Sequence, residues 1–161
     1  MIYRIKQFIW GITARVNEDD KMLIDIYLDE HEKKMFYSLP TYEQAHSIRV
    51  AREVIRESKE RGLYDIIVIK AALLHDIGKI NTGLNIVTKS IMVIMDKLFP
   101  KFIKRLTFLD MVYAYYNHPE MALKYLNKHN EYIKYLIKNH HNYHIKEDEK
   151  LVILQKADMS C

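Results

Sequence analysis

The chain has 161 residues, 49% apolar and 29% charged, a balance typical of a folded globular domain and unlike that of a disordered or fibrous protein. It contains only 4 Gly and 3 Pro, too few for the closely spaced turns of a strand-rich sandwich or barrel, so composition favours an all-α fold. The net charge of +4 is a mild bias toward anionic ligands. Lys and Arg are scattered rather than gathered into one stripe, so the charge does not indicate stable nucleic-acid binding.

Cysteine usage and the apolar runs bear on the cellular location. Cys161 is the single cysteine, so no intramolecular disulfide can form, and a reducing cytoplasmic compartment is expected. Arg4 and Lys6 interrupt what would be the apolar core of a signal peptide. No apolar run approaches the roughly 18 residues of a spanning helix. The sequence therefore predicts a cytoplasmic protein that is not integral to a membrane.

The first 40 residues predict helices. A stripe of apolar residues spaced by three or four predicts an amphipathic N-terminal helix: Ile2, Ile5, Ile9, Ile12 and Val16. This helix packs on the domain or, because it is basic and contains Trp10, binds a membrane surface or an acidic partner. A second helical region is predicted from Asp19 to Phe36, before Pro40 ends it.

Two further helices are predicted with definite ends. Thr41 and Gln44 fit a capping box, so a helix begins there, and it ends near Arg61 because Gly62 offers the left-handed position. The stretch from Ile66 to Ile77 is apolar all round and stops at Gly78, which predicts a buried helix.

The remainder of the chain also reads as helical. Two helical pieces separated by Pro100 follow, and a third reaches Tyr116. Pro119 is predicted at the first turn of a helix that runs to about Lys128. The last helices are predicted at Glu131 to His141 and Glu147 to Asp158. No repeat or linker divides the chain, so one domain over residues 1–161 is expected.

Histidines and aspartates at predicted helix ends form the candidate site. They are His46, His75, Asp76, His118, His140, His141 and Asp158. Any single one is more often a structural residue, but Asp76 in apolar surroundings needs a cation or several donors to stay charged. Imidazole and carboxylate ligands without thiolates suit Fe, Mn, Co, Ni or Zn in a catalytic site. Asp76 has two oxygens and could bridge two such metals.

These residues also resemble a known family. His46 in HSIRVA, His75 and Asp76 in LLHDIGK, and Asp158 in KAD are similar to the H…HD…D pattern of the HD superfamily of metal-dependent phosphohydrolases. The resemblance covers about residues 41–158. It implies a helical bundle of five or more core helices, with residues 1–40 as an N-terminal helical extension.

The additional histidines resemble a multi-metal subset of that superfamily. This subset includes the HD-GYP phosphodiesterases and the diadenosine tetraphosphate hydrolases. The resemblance implies one metal on His46, His75, Asp76 and Asp158, and a second on Asp76, His118, His140 and His141. The chain lacks the GYP segment after His141, which disfavours a cyclic-dinucleotide phosphodiesterase.

Two cations are candidates for substrate binding. Lys79 and Arg49 each lie one turn beyond a proposed ligand, where they can contact phosphate oxygens and stabilise transition-state charge; Lys79 is accordingly also a candidate catalytic residue beside Asp76. The alternatives are a solvated Lys79 and an Arg49 that pairs with Glu53. Glu43 is interpreted as a first-turn acid favoured by the helix dipole, or as an extra ligand. His31, His129 and His144 are predicted to be surface residues.

The predicted function is hydrolysis of a phosphomonoester, phosphoanhydride or phosphodiester, of nucleotide type, by metal-bound hydroxide. The expected cofactor is a divalent transition metal, two per chain, and the expected partner is a small-molecule phosphate substrate; a homodimer is possible. The alternative is a nucleotide-sensing regulatory module with little turnover. The stretch between Asp76 and His118 is longer than is usual in the HD superfamily. The extra helical material, residues 85–104, shapes either the substrate pocket or a partner surface.

Overall fold

The computed structural model describes residues 13–161, apart from the side chain of Ile86. Most of the predicted N-terminal amphipathic helix lies outside these residues. Within them the chain forms nine α-helices and two 3-10 segments without a strand, so the all-α prediction is confirmed. The helices are α1 Glu18–Tyr27, α2 Glu30–Tyr37, α3 Thr41–Glu60, α4 Ile66–Leu74, α5 Ile86–Leu98, α6 Pro100–Lys104, α7 Asp110–Ala122, α8 Glu131–Asn139 and α9 Glu149–Ser160; the 3-10 segments are Ile77–Lys79 and Leu123–Tyr125.

The helical region predicted from Asp19 to Phe36 is two helices. Asp29 breaks it, because its side chain accepts the backbone N–H of Glu32 while Glu32 accepts that of Asp29, a capping box that starts α2. Asn17 and Asp20 cap α1 in the same way. The prediction of one region overlooked these caps.

Helix α3 begins at Thr41 as predicted, but the predicted capping box is wrong. Pro40 is the N-cap and supplies no side-chain hydrogen bond. Gln44 instead donates through Nε2 to the Leu39 carbonyl at 2.7 Å. At the other end Arg61 is the C-cap and Gly62 has φ +68°, which confirms the left-handed position.

Helix α4 is the centre of the main core. Ile69, Leu73 and Leu74 are fully buried, and α4 packs against α3, α8, α9, α1 and α2. The helix ends at Leu74 rather than at Ile77. His75 and Asp76 therefore occupy the turn between α4 and the 3-10 segment Ile77–Lys79, where their side chains leave the helix axis.

Gly78 is required by close packing rather than by helix termination. A Cβ on Gly78 would lie 1.9 Å from the His118 carbonyl oxygen and 2.9 Å from the Ala122 nitrogen, both on α7. The two backbones can meet because Gly78 has no side chain. This contact sets the 3-10 segment directly beside His118.

The predicted helix start at Pro119 is wrong. Helix α7 runs without a break from Asp110 to Ala122, and Pro119 lies inside it, buried. The predicted helix from Pro119 to Lys128 is replaced by the end of α7 and the 3-10 segment Leu123–Tyr125. His118 consequently lies on the continuous α7 rather than at a helix start.

Helices α5 and α6 pack on α7 to form a second, smaller core. Met92 of α5, Ile103 of α6 and Val112 of α7 are its buried members, separate from the main core. Tyr116 of α7 donates its hydroxyl to Asp96 of α5, which ties the two helices together. Among residues 13–161, no helix has the length and apolar character needed to cross a bilayer.

Candidate metal centre

All seven predicted ligand residues meet in one place. They come from α3 (His46), the turn after α4 (His75, Asp76), α7 (His118), the end of α8 (His140, His141) and α9 (Asp158). Helices α3, α8 and α9 pack against α4, and α7 packs against the 3-10 segment that follows it. The tertiary fold therefore brings together seven candidate ligands that are spread over more than 100 residues of the sequence.

The two carboxylates lie between the imidazoles. His46 Nε2 is 3.0 Å from Asp158 Oδ1, and His75 Nε2 is 3.3 Å from Asp76 Oδ2 and 3.6 Å from Asp158 Oδ1. His118 Nε2 is 3.2 Å from the other Asp76 oxygen, Oδ1. The two oxygens of Asp76 thus face different histidines, which is the arrangement that a bridging carboxylate requires.

His140 and His141 complete the far side of the site. His141 Nδ1 is 3.7 Å from Asp158 Oδ2, and its ring centroid is 5.1 Å from that of His118. His140 and His75 meet edge to face with centroids 5.0 Å apart. Ligand atoms within 4.8 Å of one another fall into three overlapping groups: His118, His140, His141; His46, His75, Asp76; and His75, His140, Asp158.

Three buried histidines are oriented by the backbone. Each places Nδ1 against a carbonyl one turn earlier: His75 on Ala72 at 2.8 Å, His118 on Ala114 at 3.2 Å, and His140 on Ile137 at 2.6 Å. Donation from Nδ1 leaves Nε2 as a lone pair directed at the centre. In residues 13–161 none of these Nε2 atoms has a hydrogen-bond partner, nor does Asp76 Oδ1.

Electrostatics at the site favour a cation. Burial holds the pKa of His118 well below its usual range and lowers that of His140 to about 3, so both are neutral, as metal ligands must be. Burial alone would lower the pKa of His75, but the charges of Asp76 and Asp158 outweigh it and raise that pKa to about 10. Without a metal, a proton on His75 Nε2 therefore supplies the positive charge that the two carboxylates attract, and a bound cation would take its place and leave that Nε2 as a ligand. Unpartnered buried Nε2 atoms around two carboxylates fit a divalent metal.

Lys79 is buried beside these carboxylates. Its Nζ is 2.7 Å from Asp76 Oδ2 and 3.2 Å from Glu43 Oε1. Despite burial, the charges of Asp76 and Glu43 raise the pKa of Lys79, so it remains an ammonium. The alternative of a solvated lysine is excluded.

Glu43 lies in the first turn of α3 as predicted, and it is also a functional candidate. It is fully buried, and its Oε1 also accepts from Lys89 of α5 at 3.0 Å, while Oε2 has no hydrogen-bond partner in the part of the chain described. Glu43 lies one helical turn before His46, the spacing on which the sequence interpretation of an extra ligand rests. It links α5 to Lys79 and the metal candidates.

Gln155 was missed altogether. This buried side chain on α9 donates through Nε2 to the carbonyls of Asn139 and Asn142, at 3.1 and 3.0 Å. It therefore holds the segment that carries His140 and His141 against the helix that carries Asp158. A polar residue in an apolar helix stretch was its only signal in the sequence.

The remaining predicted residues have mixed outcomes. His31 and His144 are exposed as predicted, but His129 is not a free surface residue, because its Nε2 contacts the buried Glu32 at 3.1 Å. Arg49 is half-buried on α3, and its charge acts on Cys161, whose thiol pKa is raised by burial. Glu53, the alternative partner of Arg49, is bound by Arg56.

The described residues form a helical bundle with one cluster of histidines and aspartates that could hold a metal ion. The family model of the HD domain matches residues 44–159, so the chain belongs to the HD domain family, a family of metal-dependent phosphohydrolases. Comparison with curated proteins and with solved structures gave no match.

Proposed function

We propose that the protein is a two-metal phosphohydrolase that cleaves a phosphomonoester, phosphoanhydride or phosphodiester of a nucleotide. One observation carries this proposal. Three buried Nε2 atoms, oriented by backbone carbonyls and without hydrogen-bond partners in the described chain, converge on Asp76 and Asp158. Such lone pairs are costly to bury unless a metal binds them.

Two ligand sets share Asp76 in this proposal. His46 and His75 face Asp76 Oδ2 and form one set with Asp158. His118 faces Oδ1 and forms the other set with His140 and His141, although His140 also groups with His75 and Asp158. Asp158 Oδ2 also faces His141, so a second bridging carboxylate is available. Nitrogen and oxygen ligands of this kind suit Fe, Mn, Co, Ni or Zn.

When bound, such metals activate water as a nucleophile and neutralise charge on phosphoryl oxygens. The chain's own residues supply the rest. Lys79, fixed by Asp76 and Glu43, places an ammonium beside the centre where it stabilises negative charge on the transferred group. Arg49, one turn beyond His46, is the second proposed phosphate contact.

The nucleotide part of the proposal rests on the exposed edge of the site. His141 is the most exposed of the seven residues, with 44% of its side chain accessible, so substrate enters there. Tyr143 lies beside it, its hydroxyl 3.3 Å from His141 Nδ1, and its ring is exposed. An exposed aromatic ring at the opening is a surface on which a nucleobase can stack.

The test is a hydrolysis panel of mononucleotides, dinucleoside polyphosphates, cyclic nucleotides and simple phosphate esters, with protein loaded separately with each metal. We expect metal-dependent hydrolysis of at least one nucleotide, measured by separation of its products, and a rate about 10³-fold lower in Asp76→Asn. Metal binding with no hydrolysis across the panel would overturn the enzyme proposal. Tight nucleotide binding in that case would support the regulatory alternative.

A further inference from the structure

Helix α5 presents an unusual apolar face to solvent. Val87, Ile91, Ile94 and Leu98 lie at spacings of four, three and four, and between 54% and 61% of each is exposed. This spacing places all four on one side of the helix. The opposite side is used by Met92, which packs on α7 in the smaller core. Helix α5 is therefore packed on one side and exposes an apolar stripe on the other.

The face continues beyond α5. Phe99 and Phe102 are each 56% exposed and, with Leu98, Pro100 and Lys101, line one shallow groove. Phe108 is also exposed. In residues 13–161, nine of the sixteen exposed large hydrophobic side chains fall between positions 87 and 113. Contiguous apolar surface of this kind marks a binding face.

The same segment holds the net charge of the protein. Residues 86–109 contain five cations, namely Lys89, Lys97, Lys101, Lys104 and Arg105, and one acid, Asp96. The chain has 25 Lys and Arg and 21 Asp and Glu, so removing this segment leaves 20 of each. The one acid, Asp96, accepts a hydrogen bond from the Tyr116 hydroxyl on α7. Lys89 is paired with Glu43, so the positive charge that flanks the apolar face comes from Lys97, Lys101, Lys104 and Arg105.

We propose that the α5–α6 face, defined by Val87, Ile91, Ile94, Leu98, Phe99 and Phe102, docks on an anionic lipid bilayer. Bulky apolar and aromatic side chains enter the headgroup region, while Lys97, Lys101, Lys104 and Arg105 contact anionic headgroups. A second copy is a poorer occupant, because twofold pairing of this face brings the same cations of both copies together. The inference does not depend on the metal centre.

The position of the face gives docking a consequence for the site. Lys89, on the same helix, binds Glu43, which binds Lys79 beside Asp76. The helix that carries the apolar face is therefore tied through Lys89 and Glu43 to the lysine beside Asp76. A bilayer on the α5–α6 face would hold the hydrolase domain at the membrane surface without any spanning helix.

The experiment is flotation of the full chain with vesicles of phosphatidylcholine alone or mixed in about equal amounts with phosphatidylglycerol. Wild-type protein is expected to float with the mixed vesicles, less at high salt, and not with phosphatidylcholine alone. Ile94→Ser with Phe102→Ser, and separately Lys97→Glu with Lys101→Glu, should each lower partitioning at least about tenfold. All four side chains are exposed, so these variants should keep the wild-type thermal unfolding temperature.

Ile26→Ser is the matched control, because Ile26 is 73% exposed on α1, outside the face. It should float like the wild type. Failure of the wild type to bind mixed vesicles, or binding unchanged in both double variants, would overturn the proposal. Concentration-dependent self-association lost in the double variants, without vesicle binding, would overturn it in favour of a second copy. Binding to an acidic protein without vesicle binding would overturn it likewise.

Discussion

Helices α4 and α5 are both strongly apolar, yet α4 is buried and α5 exposes one apolar side to solvent. In α4, residues such as Ile69 and Leu73 are fully buried because five other helices surround them. In α5, Ile91 and Ile94 are more than half exposed, because the main packing partners of that helix among residues 13–161 are α6 and α7. Apolar sequence therefore predicts burial only where neighbours exist on every side. The first helix positions a metal centre, and the second offers a surface.

The largest expected effect is on the hydrolysis rate, which should depend on the carboxylate at the metal centre and not on the one in the smaller core. Asp76→Asn should lower the rate of substrate hydrolysis about 10³-fold, because both Asp76 oxygens face histidines at the centre. The matched change Asp96→Asn, in the smaller core, should leave the rate within about twofold. Steady-state kinetics on metal-loaded protein check both. An Asp76→Asn variant that keeps most of its activity would contradict the assigned role.

Glycine substitutions test how tightly the centre is packed. Gly78→Ala should lower the free energy of unfolding by about 3 kcal/mol, since the new Cβ meets the α7 backbone at His118. Gly62→Ala meets no atom within 4 Å and suffers only from its φ of +68°, so about 1 kcal/mol is expected. Urea denaturation measures both. Equal costs would mean that the 3-10 segment is free to move away from α7.

Matched isoleucines compare the two helices directly. Ile69→Ala on α4 should cost about 3 kcal/mol in unfolding free energy, through lost burial and a cavity. Ile94→Ala on α5 should change it by no more than about 0.5 kcal/mol. The same denaturation experiment decides. A large cost at Ile94 would show that the exposed face is covered in solution.

The smallest effect concerns the link between the regions. Lys89→Met should lower kcat/KM by about threefold, because Glu43 keeps Lys79 as its partner. Lys79→Met should lower it about 10²-fold, since Lys79 also contacts Asp76. Lys97→Met serves as an exposed control with no expected change. A Lys89 effect as large as that of Lys79 would place both ammonium groups at the substrate.

Much of the fold was accessible from the sequence, and the misses have physical causes. The all-helical class, the buried α4 and the left-handed Gly62 follow from local composition and periodicity. The break at Asp29 and the continuous α7 were misjudged, because capping and proline signals compete locally and packing decides between them. Gly78 was interpreted as a helix stop, whereas its role depends on α7, which is distant in sequence.

The seven candidate ligands were predictable because a metal site requires residue types that are rare on apolar helices. Gln155 was not identified, because its contacts with Asn139 and Asn142 arise only in the tertiary structure. Glu43 was named as a first-turn acid or an extra ligand, but its contact with Lys89 could not be predicted for the same reason. The division at residue 40, the ligand roles of the seven residues and the number of bound metals stay predictions. Family membership covers residues 44–159.

Metal content tests the central claim most directly. Elemental analysis of protein purified without chelator, alongside His75→Ala and His118→Ala, should give about two metals per chain in the wild type and fewer in each variant. The loss in both variants would follow from the two sides of Asp76 that these histidines face. A wild-type protein without bound metal, or a content unchanged in both variants, would contradict the account.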